Sequence, residues 1–461
     1  MSQMAAQRYP VKVPLINTPM GVWQLLQAAR RNILEIIPEI CTKQPIVSGK
    51  TAIVRWHMVM DPTANQHILR DGLSNYPKSD VTKNILEPAI GDSLFIAEGA
   101  HWRWQRRAAT PVFTHRNIAN LGPLMEHAAQ RSIDRLAAQS GRAANLFDEM
   151  VATTFEVISD VTFSGDEGFD RSGVHDAIET YISQAAKMSL FDVIGVPTWV
   201  PRPSRLFSST AMKDMRDISD AAIDRRRENG PRPVPDLLDL LLDGEDPETK
   251  RKMNTAELRD NLLTFIVAGH ETTALTLAWA LYLCAFDPKV QDKARAEIQS
   301  VLQGRETVTA EDMPNLKYVR QIVDETLRLY PPAAFLSRTA LAADTLCDRE
   351  IRKGDTVALP IYALHRNELL WDDPHAFRPE RFENPKEINR FAYLPFGDGP
   401  RICIGASFAL QEAVIILASL LARFKFTAIE GKEPTPVMII TLRPEGGVWL
   451  EVEDLQKNSK G

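Results

Sequence analysis

The feature that most constrains the fold of this chain is a ten-residue loop, FGDGPRICIG, at positions 396–405. The loop places Cys403 directly before an apolar helical run that extends from Ala409 to Phe424. Its three glycines permit backbone conformations and close approaches that a Cβ would block, so they predict a tight turn. Loop N–H groups and the N-terminus of the next helix can stabilise a thiolate at this position. The loop therefore predicts a cysteine thiolate that can ligate a metal.

The composition limits the classes of function. With 461 residues, of which 44% are hydrophobic, the chain can bury a large core. A formal net charge of -6 gives no support for nucleic-acid binding. Four scattered cysteines are too few for a disulfide framework and favour a reducing, cytoplasmic setting. Residues 1–10 lack the layout of a signal peptide, and we expect no membrane span, which needs about 18 apolar residues.

Helical periodicity dominates the chain. Asn254 and Glu257 have the spacing of a capping box, and an apolar pattern follows to about Phe286. At 1.5 Å per residue this helix is roughly 45 Å long. Asp287-Pro288 ends it and can begin the next helix. A further helix is predicted between Pro314 and Leu329.

Strand patterns are few, which predicts a mainly α fold with small β-sheets at one side, in the α+β class. The Pro-rich segment 228–235 is interpreted as a surface loop between helices. The predicted strands are Ala52 to Val59, Thr356 to Leu359 and Val437 to Leu442.

The complete pattern FGxGxRxCxG resembles the heme-thiolate loop of the cytochrome P450 family. The alternative, a structural cysteine in a tight turn, leaves the other constrained positions unexplained. The resemblance spans about 45–453 and implies one P450 domain over 1–461, with 1–44 as an N-terminal extension and no fused reductase. It implies a long central helix over heme b, with Cys403 as the iron ligand. A thiolate ligand donates electron density and favours O–O cleavage.

A second motif, AGHETT at 268–273, resembles the oxygen-activating motif of P450s. The resemblance implies that Thr272 hydrogen-bonds the oxygen ligand, that Glu271 relays protons and that Ala268 lies at the cofactor. A threonine hydroxyl can bond a carbonyl one turn earlier and distort the helix, which would open a groove for O2 and water. His270 is expected to point away and is not counted as a ligand.

Charged motifs complete the resemblance. Glu325 and Arg328 lie on one helix face, and in P450s such a pair joins a downstream arginine, here Arg381, in a structural lock beneath the cysteine loop. Phe396 is expected to pack near the thiolate and to tune the iron potential. The residues expected to contact the heme propionates are Trp102, Arg106, Arg338 and Arg401.

The implied activity is that of a monooxygenase that inserts one atom of O2 into an apolar organic substrate, by hydroxylation or epoxidation. We expect the electrons to come from a separate ferredoxin or flavodoxin type protein. Its predicted docking patch is Arg103, Arg106, Arg107 and Arg116. The expected substrate is fatty-acid, terpene or steroid-like, in a pocket lined by Ile85, Leu86, Leu94, Phe95, Phe265, Ala333, Ala334, Phe335, Met438 and Ile439.

Two other functions stay open from the sequence. A peroxide-dependent peroxygenase, or a heme-thiolate isomerase or dehydratase, keeps the fold but often lacks the acid–alcohol pair that is intact here. A non-enzymatic heme sensor would keep Cys403 but has no use for Glu271 and Thr272.

Overall fold

Helices form most of the chain, as the periodicity predicts. A computed structural model describes residues 8–18, 20–51, 54–163, 173, 209–438 and 440–458. The helices are α1 (Val22–Arg31), α2 (Pro62–Gln66), α3 (Asp80–Ile90), α4 (Gly99–Ala109), α5 (His115–Asn120), α6 (Gly122–Ala138), α7 (Leu146–Phe163), α8 (Ser209–Asn229), α9 (Leu237–Asp243), α10 (Thr255–Phe286), α11 (Pro288–Leu302), α12 (Lys317–Leu329), α13 (Ile361–Leu364), α14 (Ala406–Arg423) and α15 (Leu455–Asn458). The predicted Pro-rich loop lies between α8 and α9.

The sheets are small. The largest has the order β1-β2-β7-β4, in which β2 and β7 are parallel and the other pairs antiparallel. The others are β3-β11-β8, β5-β6 and β9-β10. The strands are β1 (Ile46–Thr51), β2 (Val54–Val59), β3 (Ala143–Asn145), β4 (Leu336–Thr339), β5 (Asp344–Leu346), β6 (Arg349–Ile351), β7 (Thr356–Leu359), β8 (Phe424–Ala428), β9 (Thr435–Met438), β10 (Leu442–Glu445) and β11 (Trp449–Asp454).

Two of the three predicted strands are found and the third is wrong. The strand at 356–359 has the predicted bounds, and the one predicted at 52–59 is β2, although positions 52 and 53 lie outside the described residues. The segment 437–442 is instead a hairpin connection, because Met438 of β9 pairs with Leu442 of β10.

The central helix α10 has the predicted start and end. The Asn254 side chain accepts a hydrogen bond from the Glu257 N–H at 2.9 Å, and the Glu257 carboxylate accepts one from the Asn254 N–H at 3.0 Å. Both bonds satisfy N–H groups that have no partner inside the helix. At the other end, Asp287 caps α11 and Pro288 is its first residue. With 32 residues, α10 is about 48 Å long.

The core surrounds α10, which is buried on all sides from Ala274 to Leu283. Trp279 stacks on Tyr330 with ring centroids 4.0 Å apart, and its Nε1 donates to the Leu442 carbonyl at 3.1 Å. The hydrogen bond attaches the β9–β10 hairpin to α10. The predicted N-terminal extension is partly built into the same core, where Leu34 is fully buried.

One helix in the described part of the chain, α14, is long and apolar enough to cross a membrane. We expected no such segment. However, 61% of α14 is buried inside this protein, and the core helix of a soluble protein meets the same criterion, so the finding is weak support for a span.

A carboxyl group is buried on α14. Glu412 is only 1% exposed and accepts a hydrogen bond from the Thr273 hydroxyl of α10. Burial raises the pKa of Glu412 to about 8. The side chain is therefore mostly protonated at neutral pH.

This pKa predicts a pH dependence of stability. The unfolded chain releases the Glu412 proton near its ordinary pKa of about 4.3, whereas the folded protein holds it to about pH 8. The free energy of unfolding should therefore fall between these values, by up to about 1.4 kcal/mol per pH unit. Glu412→Gln should remove this contribution, measured by denaturant unfolding at pH 5 and pH 8.

The control is Glu430→Gln, which changes an exposed glutamate and should leave the dependence unchanged. Equal pH dependence in the Glu412→Gln variant and the unmodified protein would show that Glu412 does not carry the buried proton.

Candidate active site

The cysteine loop needs two of its three glycines. Gly397 and Gly399 have φ angles of 67° and 71°, in the region that favours glycine. A Cβ on Gly399 would also collide with the Leu69 carbonyl group. Gly405 differs from the prediction, because it caps α14 with a φ of -89° and a Cβ there would meet its nearest neighbour, Phe113, at 4.0 Å.

Cys403 is held by backbone contacts. Its N–H donates to the Phe396 carbonyl at 2.9 Å, which closes the loop. The Cys403 side chain is accessible from the cavity that it lines. Desolvation by the surrounding protein raises the pKa of its thiol, while the Gly405 N–H and the Arg106 and Lys78 cations act in the opposite direction. Because desolvation is the largest of these effects, a bound metal cation would supply the charge that makes the thiolate stable.

Cys403 lines a cavity of about 1400 Å³. This volume exceeds the roughly 300–1000 Å³ that is usual for a small-ligand pocket. Helix α10 lines the same cavity with Ala268, Gly269 and Thr272, and Phe396 of the cysteine loop also borders it. The space is large enough for a cofactor and a substrate together.

The oxygen-motif threonine is placed at this cavity. The Thr272 hydroxyl donates to the Ala268 carbonyl at 2.8 Å, which is the predicted back-bond. The predicted distortion does not interrupt the helix, since α10 is assigned as α-helix through all of its residues, each of which the structure describes. The shared Ala268 carbonyl accommodates the hydroxyl without a break in the helix.

The neighbouring acid does not line the cavity. Glu271 is buried, and its Oε1 accepts hydrogen bonds from Thr441 Oγ1 at 2.7 Å and Arg443 Nε at 2.6 Å. The predicted acid–alcohol pair therefore diverges, with Thr272 at the cavity and Glu271 at the β9–β10 hairpin. His270 points away as expected, with Nδ1 3.0 Å from the Ile266 carbonyl.

The predicted propionate contacts include a buried arginine. Arg338 is 6% exposed, and its Nε has no hydrogen-bond partner among the described residues. Burial, with a smaller effect from Arg401, lowers the pKa of Arg338 to about 10. Arg401 is paired with Glu98 and lies 4.5 Å above the Trp102 ring. Because the Arg338 guanidinium group is buried and has an N–H group without an acceptor in the described part of the chain, it can bind an anion.

Two further charged residues belong to this cluster and were not predicted. The backbones of Lys78 and Arg338 form an isolated antiparallel β-bridge. The Lys78 ammonium group lies 3.5 Å from the Phe95 ring centroid. Burial and the Arg338 and Arg401 cations hold the pKa of Lys78 well below its usual range. Glu98 is the one carboxylate acting on Lys78, Arg338 and Arg401 within the described cluster. Basic groups therefore outnumber carboxylates in this cluster, and the two propionates of a heme would suit it.

The structure brings the three residues of the expected lock together. Arg328 donates to both Glu325 oxygens at 2.7 Å, and Arg381 Nε lies 3.3 Å from Glu325 Oε1. Arg328 also donates to the carbonyl groups of His365, Pro374 and Ala376 at 2.8, 2.8 and 3.0 Å. The Arg328 and Glu325 side chains are completely buried.

His365 links this lock to the cysteine loop and was also missed. Its Nδ1 lies 3.2 Å from the Arg328 carbonyl, and its Nε2 accepts from the Leu394 N–H at 2.9 Å. Burial, aided by the Arg328 charge, lowers the pKa of His365 to about 3. The ring is therefore neutral, with its proton on Nδ1. Leu394 lies two residues before Phe396, so the ring positions the chain that enters the loop.

Comparisons with known proteins show the family of this chain. The sequence model of the family described as Cytochrome P450 matches residues 15–450. The chloroplastic protein LUTEIN DEFICIENT 5 of Arabidopsis thaliana is 33% identical over 86% of this chain and 69% of its own length. The cyclooctat-9-en-7-ol 5-monooxygenase of Streptomyces melanosporofaciens is 31% identical, over 92% of this chain and 90% of its own.

A solved structure shows the same fold. The crystal structure of the cytochrome P450DA heme domain has a TM-score of 0.79 and 27% identity, covering 94% of this chain and 93% of that one. The chain belongs to the cytochrome P450 family. It is a P450 monooxygenase whose cofactor is heme b, and the predicted fold class is confirmed.

The buried lock predicts a large stability effect. Arg328→Ala leaves the buried Glu325 carboxylate without its main partner, which should cost about 3–5 kcal/mol of unfolding free energy. Arg320→Ala on the same helix is the control, because its pair with Asp324 is partly exposed and should contribute about 1 kcal/mol or less. Denaturant unfolding measures both, and similar losses would contradict the special role of Arg328.

Proposed function

We propose that this P450 uses O2 and two electrons from a separate protein to insert one oxygen atom into an apolar organic substrate, by hydroxylation or epoxidation. The observation that carries the proposal is that the Thr272 and Cys403 side chains line one large cavity. Heme b, when bound, supplies the O2 binding and redox chemistry. The residues around it bind the cofactor, orient the substrate and handle protons.

In this proposal Cys403 is the iron ligand, and the cation cluster binds the propionates. The excess of basic groups over carboxylates and the unpartnered Arg338 Nε support this assignment. Ala268 and Phe396 would contact the macrocycle, since both line the cavity. The propionate contacts would be Lys78, Trp102, Arg106, Arg338 and Arg401.

The cavity favours an apolar substrate of considerable length. Beyond the predicted residues, it extends to Ile33, Ile36, Trp56 and Met58 near the N-terminal part of the chain. Ala334 lies fully buried in the core instead, and the Ile85 side chain and Ile439 lie outside the described residues. The predicted residues at the cavity are Leu86, Leu94, Phe95, Phe265, Ala333, Phe335 and Met438. A fatty acid, terpene or steroid-like molecule fits this lining.

We propose that residues 1–461 form one P450 domain, with its core at 45–453. Val13, in the expected extension, donates its N–H to the Tyr362 hydroxyl at 2.9 Å, which supports one folded unit.

The four cysteines are free thiols, which supports the proposal of a reducing, cytoplasmic setting. They are Cys41, Cys284, Cys347 and Cys403.

The predicted docking patch is smaller than expected. Arg107 forms a bidentate pair with the buried Asp246, and Arg106 donates to the Ile402 carbonyl at 2.9 Å. Arg103 on α4 and Arg116 on α5 remain exposed. We assign these two to the docking of an acidic ferredoxin or flavodoxin type donor.

Reversing the charge of Arg103 tests the docking surface. Arg103→Glu should slow the first electron transfer from a plant-type ferredoxin severalfold at low ionic strength, with the difference shrinking as salt screens the charges. Lys289→Glu, at an exposed position in the first turn of α11, is the matched control. Stopped-flow reduction under carbon monoxide measures both, and equal rates would place the docking site elsewhere.

Thr272 tests the O2-dependent activity. Thr272→Val keeps the side-chain shape but loses the hydroxyl group, so product formed per electron pair should fall at least severalfold while hydrogen peroxide accumulates. Thr272→Ser retains the hydroxyl and should recover most of the coupling. Product, reductant and peroxide are measured together. Tight coupling in Thr272→Val would exclude this role for the hydroxyl.

A peroxygenase is the second candidate, and the position of Glu271 favours it. The Glu271 carboxylate is held at the β9–β10 hairpin and so is not placed to deliver protons at the cavity. Hydrogen peroxide already contains the two protons that the reaction with O2 requires. Turnover with hydrogen peroxide, but none with O2 and a donor protein, would support this alternative over the monooxygenase.

A further inference from the structure

The carboxylate of Glu271 is fixed by two donors outside α10. Its Oε1 accepts from Thr441 Oγ1 at 2.7 Å and from Arg443 Nε at 2.6 Å. The Glu271 side chain is 5% exposed and that of Arg443 is 28% exposed. Charge-assisted hydrogen bonds of this kind are about twice as strong as neutral ones. The pair therefore restrains a group that must move to act at the cavity.

Both donors belong to the β9–β10 hairpin, which also borders the cavity. Met438 and Ile440 line the cavity, and Thr441 and Arg443 lie on either side of Leu442. Leu442 is itself held by its N–H bond to the Pro332 carbonyl at 3.0 Å and by Trp279 Nε1 at 3.1 Å. The hairpin is thus fixed to α10 at the point where it holds Glu271. A molecule in the cavity contacts the same hairpin.

We propose that Thr441 and Arg443 are positioning residues that hold Glu271 away from the cavity and so limit proton delivery to Thr272. This inference rests on the proposed O2-dependent function. Glu271 and Thr272 are adjacent on α10, so rotation of one side chain, rather than a movement of the helix, brings the carboxyl group towards the cavity. The restraint by Arg443 and Thr441 opposes that rotation.

The proton balance shows why restraint matters. Substrate oxidation consumes O2, two electrons and two protons, and it yields hydroxylated product and water. Without substrate, the same O2, electrons and protons yield hydrogen peroxide, which wastes reductant. A restraint on Glu271 limits the second reaction when the cavity holds no substrate.

Loosening the restraint should raise the wasteful reaction. Substrate-free, heme-loaded protein is supplied with NADPH, a plant-type ferredoxin and its reductase, and NADPH oxidation and hydrogen peroxide are measured. Arg443→Gln should increase both about tenfold, the factor expected for loss of one charge-assisted hydrogen bond. Thr441→Val should give a smaller increase, and Arg443→Lys should restore most of the restraint. Arg349→Gln and Thr435→Val, at exposed positions, are the controls.

Glu271→Gln tests whether Glu271 itself delivers the protons. The solvent isotope effect adds a measurement that a purely structural role of Arg443 would not change. Glu271→Gln should lower NADPH oxidation at least about tenfold and abolish the effect of Arg443→Gln in the double variant. The solvent isotope effect in D2O should decrease in Arg443→Gln, because proton delivery then limits the rate less. Heme absorbance and thermal unfolding verify that each variant is folded and loaded.

Three outcomes decide the inference. An unchanged rate in folded, heme-loaded Arg443→Gln and in Thr441→Val overturns the restraint. A normal rate in Glu271→Gln overturns the assignment of this acid to proton delivery. In both cases product formation from O2 by the unmodified enzyme would leave the monooxygenase function intact. Failure of the unmodified enzyme to use O2 at all, despite turnover with hydrogen peroxide, would instead reject the proposed function and with it this inference.

Discussion

The rest of the site depends on the hydrogen bonds of the buried Arg328 guanidinium group, each of whose N–H groups has an acceptor. Arg328 uses its N–H groups on Glu325 and on three backbone carbonyls of the segment between α13 and the cysteine loop. Through the carbonyl group of Arg328 the network continues to His365 and then to the Leu394 N–H. The position of the Cys403 loop is therefore linked to a buried charge that would be costly to leave without its partners.

Electrostatics around the cavity explain why this scaffold suits heme b. On one side, desolvation disfavours the thiolate of Cys403, which is accessible from the cavity and which a metal cation would stabilise. On the other, Lys78, Arg338 and Arg401 carry more positive charge than Glu98 neutralises. A group that presents a metal to the sulfur and two carboxylates to the cations meets both demands at once. The Cys403 site alone would suit many metals, and the basic cluster alone would suit many anions. Together they favour a cofactor that carries both a metal and carboxylates.

Sequence reasoning located residues whose roles follow from local spacing. Glu325 and Arg328 are one turn apart, and Cys403 and its glycines share one loop, so their placement was predictable. His365 and Lys78 were missed because their partners are distant in sequence. The motif located Glu271 on the helix but could not show where its side chain points. That orientation depends on Arg443 of β10, which lies 172 residues further along the chain. The strand predicted at 437–442 failed because VMIITL has no Gly, Pro, Asn or Asp to mark its turn.

The central claim is that Cys403 ligates heme iron as a thiolate. The most direct test is the absorbance difference spectrum of the dithionite-reduced protein with and without carbon monoxide, for the unmodified chain and Cys403→Ser. The account predicts a Soret band at the long wavelength for which the family is named, and its loss in the variant. A band at the shorter wavelength typical of histidine or neutral-thiol ligation in the unmodified protein, or no heme absorbance after production with ample heme, would contradict it.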